Sequence, residues 1–208
     1  VIVEPWEFDN EKGDVIFSDE LNHASIIESC KLSEAKIVIY KHNDVIDLEK
    51  KLKQKANHKF IVTEGVFSMD GDLANLKEIS HIATKNDAIL ALDDAHGDFV
   101  TGSDGKGTGQ HFGVEKKIDL YVSSLSKGLG AFGGYVASKK EIIEFLVNKS
   151  KSFIYTSALP SFLVDLALKR FISNREKQRK RLGKNIQLMR TGVIYVGYEV
   201  NSASQFLR

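Results

Sequence analysis

Lys127 is the residue in this chain whose neighbours best suit covalent chemistry. It follows an apolar run at 118–122 that reads as a buried strand, so it lies where a strand ends and the backbone turns. Ser124 and Ser126 supply hydroxyls beside it. Gly128, Gly130, Gly133 and Gly134 let the backbone come close to a bulky ligand, where side chains would intrude. An amine in that setting is placed to bind a carbonyl group, whereas the same letters on an open turn would describe a solvated lysine.

Three other residues strengthen the first reading. Asp93 closes the most apolar run, 88–92, and a buried carboxylate needs a positive partner, such as a protonated heteroaromatic nitrogen. Its neighbour Asp94 can equally be the cap of the following turn. His96, three residues beyond Asp93, can donate to a ring hydroxyl. His23, at the start of a helix on another strand end, can lie flat against an aromatic ligand. Asp93, His96 and His23 also suggest zinc, but no third firm ligand accompanies the histidines and the nearby lysine would be redundant. The spacing Gly128-x-Gly130-x-x-Gly133 matches a dinucleotide fingerprint, yet it leads into a strand-like Tyr135-Val-Ala and not into a helix.

The elements that must hold these groups alternate. Strands are expected at 15–17, 36–40, 60–63 and 88–92, with helices at 23–32, from Asp44 as N-cap to Leu52, and at 76–85. A returning strand follows at 135–137, then helices at 139–148 and 162–189, with a loop at 155–160. A new strand-like segment is expected at 193–200. The glycine-rich segment 102–109 reads as a surface loop. This alternation predicts an α/β fold, a mostly parallel sheet flanked by helices, with ligands at the carboxyl ends of the strands. Residues 1–172 are expected to form part of one large domain. Residues 173–208 are expected to be a connecting helix and the start of a small α+β C-terminal domain.

Composition narrows the partners. Lys+Arg 29 against Asp+Glu 28 gives no field for a polyanion, and the basic run 175–181 is broken by Glu176, so it reads as a solvated helix face and not as a nucleic-acid site. Cys30 is the sole cysteine, which excludes an internal disulfide framework and fits a reducing compartment. No apolar run reaches membrane-spanning length, and residues 1–10 lack the order of a signal peptide. A cytoplasmic protein is the expectation.

Taken in order and spacing, Asn22-His-Ala-Ser25, Glu64-Gly-Val-Phe-Ser-Met-Asp-Gly-Asp72, Asp93-Asp-Ala-His-Gly97 and Ser124-Leu-Ser-Lys127 resemble the α-oxoamine synthases. These are pyridoxal 5'-phosphate enzymes of the aspartate aminotransferase fold. The resemblance spans about residues 13–160. It implies that Lys127 binds the cofactor aldehyde covalently, Asp93 keeps the pyridine nitrogen protonated, and His23 stacks on the ring. It further implies that Ser68 and His96 contact the phenolic oxygen, Ser124 the phosphate, and Thr156 the phosphate of a neighbouring subunit in a homodimer.

The implied substrates are a small amino acid and an acyl-CoA, joined with decarboxylation. Residues 67–72 and 93–97 are most similar to members that use alanine with pimeloyl-CoA, then to those that use glycine. The family's upstream glycine-rich segment and downstream small domain have no counterpart here, which predicts that the 208 residues are part of a larger synthase. A non-catalytic or metal-binding α/β domain that keeps the shell of the fold is the reading from a different class.

Overall fold

The computed structural model describes residues 13–33 and 35–199. Six strands form one sheet: β1 Val15–Asp19, β2 Lys36–Tyr40, β3 Lys59–Glu64, β4 Ala88–Asp93, β5 Leu120–Ser124 and β6 Gly134–Ser138, in the order β2-β1-β3-β4-β5-β6. The first five run parallel and β6 returns antiparallel to β5. The expected mostly parallel α/β fold is therefore present. Parallel neighbours need crossover connections, and helices α1 Ala24–Leu32, α2 Val45–Lys51 and α3 Leu76–Lys85 supply the first three.

Sequence chemistry explains these helices. Asp44 caps α2 by accepting from Ile46 N at 3.0 Å and Asp47 N at 2.9 Å, the role expected of it. In α3 the spacing of Leu76, Ile79, Ile82 and Ala83 makes one apolar face, and all four are buried against the sheet. They join Phe17, Tyr40, Leu48, Leu52, Ile61, Phe67, Leu90 and Leu92 in a single core beneath the strand ends. Each Leu, Ile or Phe among them contributes about 1.5–3 kcal/mol by leaving water.

Three expectations need correction. Residues 102–109 are not wholly a surface loop: Gly107, Thr108 and Gly109 are buried and open helix α4 Gly107–Phe112. The helix expected at 162–189 is two helices among the C-terminal set α5 Lys140–Lys149, α6 Lys151–Ile154, α7 Ser161–Ile172 and α8 Glu176–Tyr195. Ser173 turns extended, and the Asn174 side chain accepts from Glu176 N at 2.9 Å, so these two polar residues offer the backbone an alternative to helix and break it. The strand-like segment at 193–200 is instead the end of α8 and a turn, with Val200 outside the described residues.

Helices α5 to α8 contain no buried residue among those described, and Phe162, Leu168 and Phe171 stay exposed. Helix α7 nevertheless touches the site loop, since Arg170 donates to the carbonyls of Leu129 and Gly130. Phe171 also meets Phe99 edge-on at 6.2 Å.

Candidate active site

Parallel strands put their carboxyl ends on one edge, so the segments after β1, β3, β4 and β5 converge there. Behind β1, the buried Asn22 ties two strands together. Its amide donates to Ser18 Oγ and Val62 O, both at 2.9 Å, and its carbonyl accepts from Glu64 N at 3.2 Å. His23 follows as the N-cap of α1, its Nδ1 accepting from Ser25 N at 3.2 Å, and its own N–H donates to Glu64 Oε1 at 2.5 Å. His23 is exposed, and its charge acts on His96.

The segment after β4 is held from beneath by two buried carboxylates that bracket His96. Asp94 accepts from Thr108 N at 2.7 Å, Thr108 Oγ1 at 2.9 Å and Tyr121 OH at 2.8 Å. Asp98 accepts from Ser123 Oγ at 2.7 Å and Tyr135 OH at 2.6 Å. Burial pushes the Asp94 carboxyl up to about 7, against the pull of those donors. Asp94 is thus the structural member of the pair, and the half-buried Asp93, whose Oδ1 accepts from Ala95 N at 2.9 Å, is the one whose charge reaches His96 and Glu64.

Lys127 rides on the loop between β5 and β6. Leu125 N donates to Gly133 O at 2.9 Å, Ala131 N to Leu125 O at 2.7 Å, and Gly130 N to Lys127 O at 3.0 Å, with Gly130 at φ 68°. Gly128 lies against the carbonyl of Asp98, where a Cβ has no room. Ser124 Oγ and Ser126 Oγ are 2.8 Å apart at the loop's entry.

Across the edge, Lys127 Nζ is 2.8 Å from His96 Nε2. Burial lowers the His96 pKa first, the Lys127 charge lowers it further, and Asp93 opposes them. A neutral imidazole with Nε2 bare accepts from the ammonium. Lys127, His96, Asp93 and His23 therefore share one electrostatic site. Ser68, in the exposed part of the loop after β3, is joined to it because its N–H donates to the Glu64 carboxylate. Thr156 is not brought in: it is exposed beyond α6, and no hydrogen bond ties it to the cleft among the described residues. Among the described residues, no three His, Cys, Asp or Glu side chains gather to hold a metal.

Glu64 belongs to the site and was not singled out from the sequence. It is 3% exposed, lies in register with Asp93, and burial raises its pKa to about 7, with Asp93 adding to the rise and Lys127 opposing it. The signal that marks Asp93, an acid closing an apolar strand, marks Glu64 as well.

A lysine, an imidazole and paired acids thus meet at the carboxyl edge of a parallel α/β sheet, the place where such folds bind ligands. The chain belongs to the aminotransferase class I and II family, whose model matches residues 8–203. It is 43% identical over 198 residues to 8-amino-7-oxononanoate synthase of Thermoanaerobacter pseudethanolicus, covering 93% of this chain and 50% of that one. The same-named protein of Lysinibacillus sphaericus is 46% identical over 182 residues, covering 86% and 47%.

Among solved structures, serine palmitoyltransferase of Sphingomonas wittichii matches with a TM-score of 0.88 at 34% identity, over 93% of this chain and 50% of that one. A structure of SPT with PLP as an internal aldimine matches at 0.87 and 33% identity, over 93% and 50%. The resemblance to α-oxoamine synthases is borne out, and the chain spans about half the length of the curated relatives it matches.

Proposed function

We propose that this chain carries the cofactor-binding part of a pyridoxal-phosphate-dependent C-acyltransferase, and that the whole protein is an 8-amino-7-oxononanoate synthase. In that reaction L-alanine condenses with pimeloyl-CoA, releasing coenzyme A and carbon dioxide, in biotin synthesis. The observation that carries the reading is the 2.8 Å contact between Lys127 Nζ and His96 Nε2 beside Asp93, in a chain 43% and 46% identical to relatives of that name.

The donor set fits pyridoxal phosphate. Lys127 offers an amine for its aldehyde, and Asp93 a carboxylate for its ring nitrogen. His96 and Ser68 suit the phenolic oxygen, Ser124 the phosphate, and His23 the ring face. Bound there, the cofactor supplies an electron-withdrawing ring that takes up charge from the amino acid's α-carbon. The Lys127 amine, when free, would be the base for the α-proton. Neutral His96 accepts a hydrogen bond from the Lys127 amine and so fixes where that proton is held. Asp93 keeps its counter-charge against the ring nitrogen.

Thr156 is assigned to a neighbouring subunit's phosphate in a homodimer, which the exposed Phe153, Tyr155 and Phe162 around it support. The break at Ser173 is taken as the boundary between a large and a small domain. No described helix is long and apolar enough to cross a membrane.

The test uses the full-length protein loaded with pyridoxal phosphate. Free thiol release is followed with alanine and pimeloyl-CoA against glycine with acetyl-CoA and serine with palmitoyl-CoA. Preference for the glycine pair would transfer the assignment to a glycine C-acetyltransferase, and no release with any pair would end the acyltransferase reading.

A further inference from the structure

Beside the cleft, one imidazole bridges two carboxylates. His42, in the turn between β2 and α2, has Nδ1 2.9 Å from Asp19 Oδ1 and Nε2 2.9 Å from Asp72 Oδ2. Asp19 ends β1, is 1% exposed, and also accepts from Leu21 N and Asn43 N, both at 2.9 Å. Asn43 reinforces the join by donating to Leu73 O at 2.8 Å and accepting from Asn75 N at 2.7 Å. The buried Phe67 ring meets the His42 ring edge-on with centroids 4.4 Å apart. Phe67 N donates to Asp72 O at 3.0 Å, which closes residues 67–72 into a loop. Ser68 lies inside that loop, and both of its closing residues rest on His42.

Carboxylate oxygens only accept, so both ring nitrogens must donate, and only the imidazolium can do so. The charged groups around it are Asp19 at the end of β1 and Glu20 after it, the latter accepting the His42 N–H at 2.8 Å, Asp72 from the loop, and Lys41 and Asp44 of its own turn. We propose that His42 is a positioning residue for the cofactor: by bracing Asp19 against Asp72 it holds the loop that presents Ser68. The inference rests on the reading of Ser68 as a cofactor contact. Burial disfavours the charge, but the hydrogen bonds and charges of Asp19 and Asp72 outweigh it and hold His42 above the ordinary histidine range. The brace is thus complete below that ordinary range and is lost as pH rises through the raised value.

The test titrates full-length apoprotein with pyridoxal phosphate, following absorbance, at about pH 6 and about pH 9, either side of the histidine range. His42→Gln is expected to weaken binding about tenfold at the lower pH, the scale of removing a residue that orients a ligand group, and to approach the wild type at the higher. In the Ser68→Ala background it should add nothing. Asp72→Ala, which removes the acceptor at the other end of the brace, should behave alike if His42→Gln does not fold. Equal losses with and without Ser68, or no loss at the lower pH, would overturn the inference. Ser68→Ala alone leaving affinity unchanged would instead overturn the reading beneath it.

Discussion

The Lys127 amine donates to His96 Nε2 across 2.8 Å, joining the loop after β5 to the loop after β4. Lowering of the His96 pKa by burial and by the Lys127 charge keeps the ring neutral, and so able to accept. Lys127→Ala is expected to abolish the visible absorbance of the loaded full-length protein and its bleaching by borohydride. His96→Ala should keep that absorbance while turnover falls about a hundredfold, the lower range for a positioned proton-handling group. Retention of the band in Lys127→Ala would remove the lysine assignment.

Asp93 contributes a charge to the cleft and one hydrogen bond to Ala95 N. Asp93→Asn keeps an oxygen for Ala95, so unfolding should shift by less than about 1 kcal/mol, as for one neutral hydrogen bond. Turnover should fall at least about a hundredfold, because the fixed counter-charge is gone. Denaturant melts and thiol-release rates on the same preparation separate the two effects.

Glu64 is buried with a carboxyl raised to about 7, so the folded state holds its proton longer than the unfolded state does. Stability is therefore lost, not gained, as pH rises from the ordinary glutamate range to about 7, by roughly 3 kcal/mol for this group. Glu64→Gln should flatten that part of the profile relative to wild type in urea midpoints measured across the window. An unchanged slope would show that Glu64 titrates normally.

Asp94→Ala strands Thr108 N, Thr108 Oγ1 and Tyr121 OH beneath the His96 loop. A loss of about 3 kcal/mol is expected, with several buried donors left unmade. Gly65→Ala presses on the same cluster, since a Cβ there collides with Thr108 Oγ1 and Asp94 Oδ1. It should cost about 1–3 kcal/mol, as overpacking does. Thermal unfolding of both variants checks the pair, and a Gly65→Ala protein as stable as wild type would mean that the cluster can yield.

Local letters determined the alternation of strands and helices, the Asp44 cap, and the strand-end positions of His23, Ser68, Asp93, His96, Ser124 and Lys127. Period, capping and turn chemistry act within a few residues, so they are legible along the chain. Only the tertiary structure decided the sheet order, the division of labour between Asp93 and Asp94, and the His42 brace. It also decided that Thr108 is buried and that the helix expected at 162–189 breaks at Ser173. Whether a carboxylate is dry or wet depends on what packs over it from segments such as Thr108 and Tyr121, 14 and 27 residues beyond Asp94. Such long-range contacts set desolvation and pairing, and no local pattern encodes them.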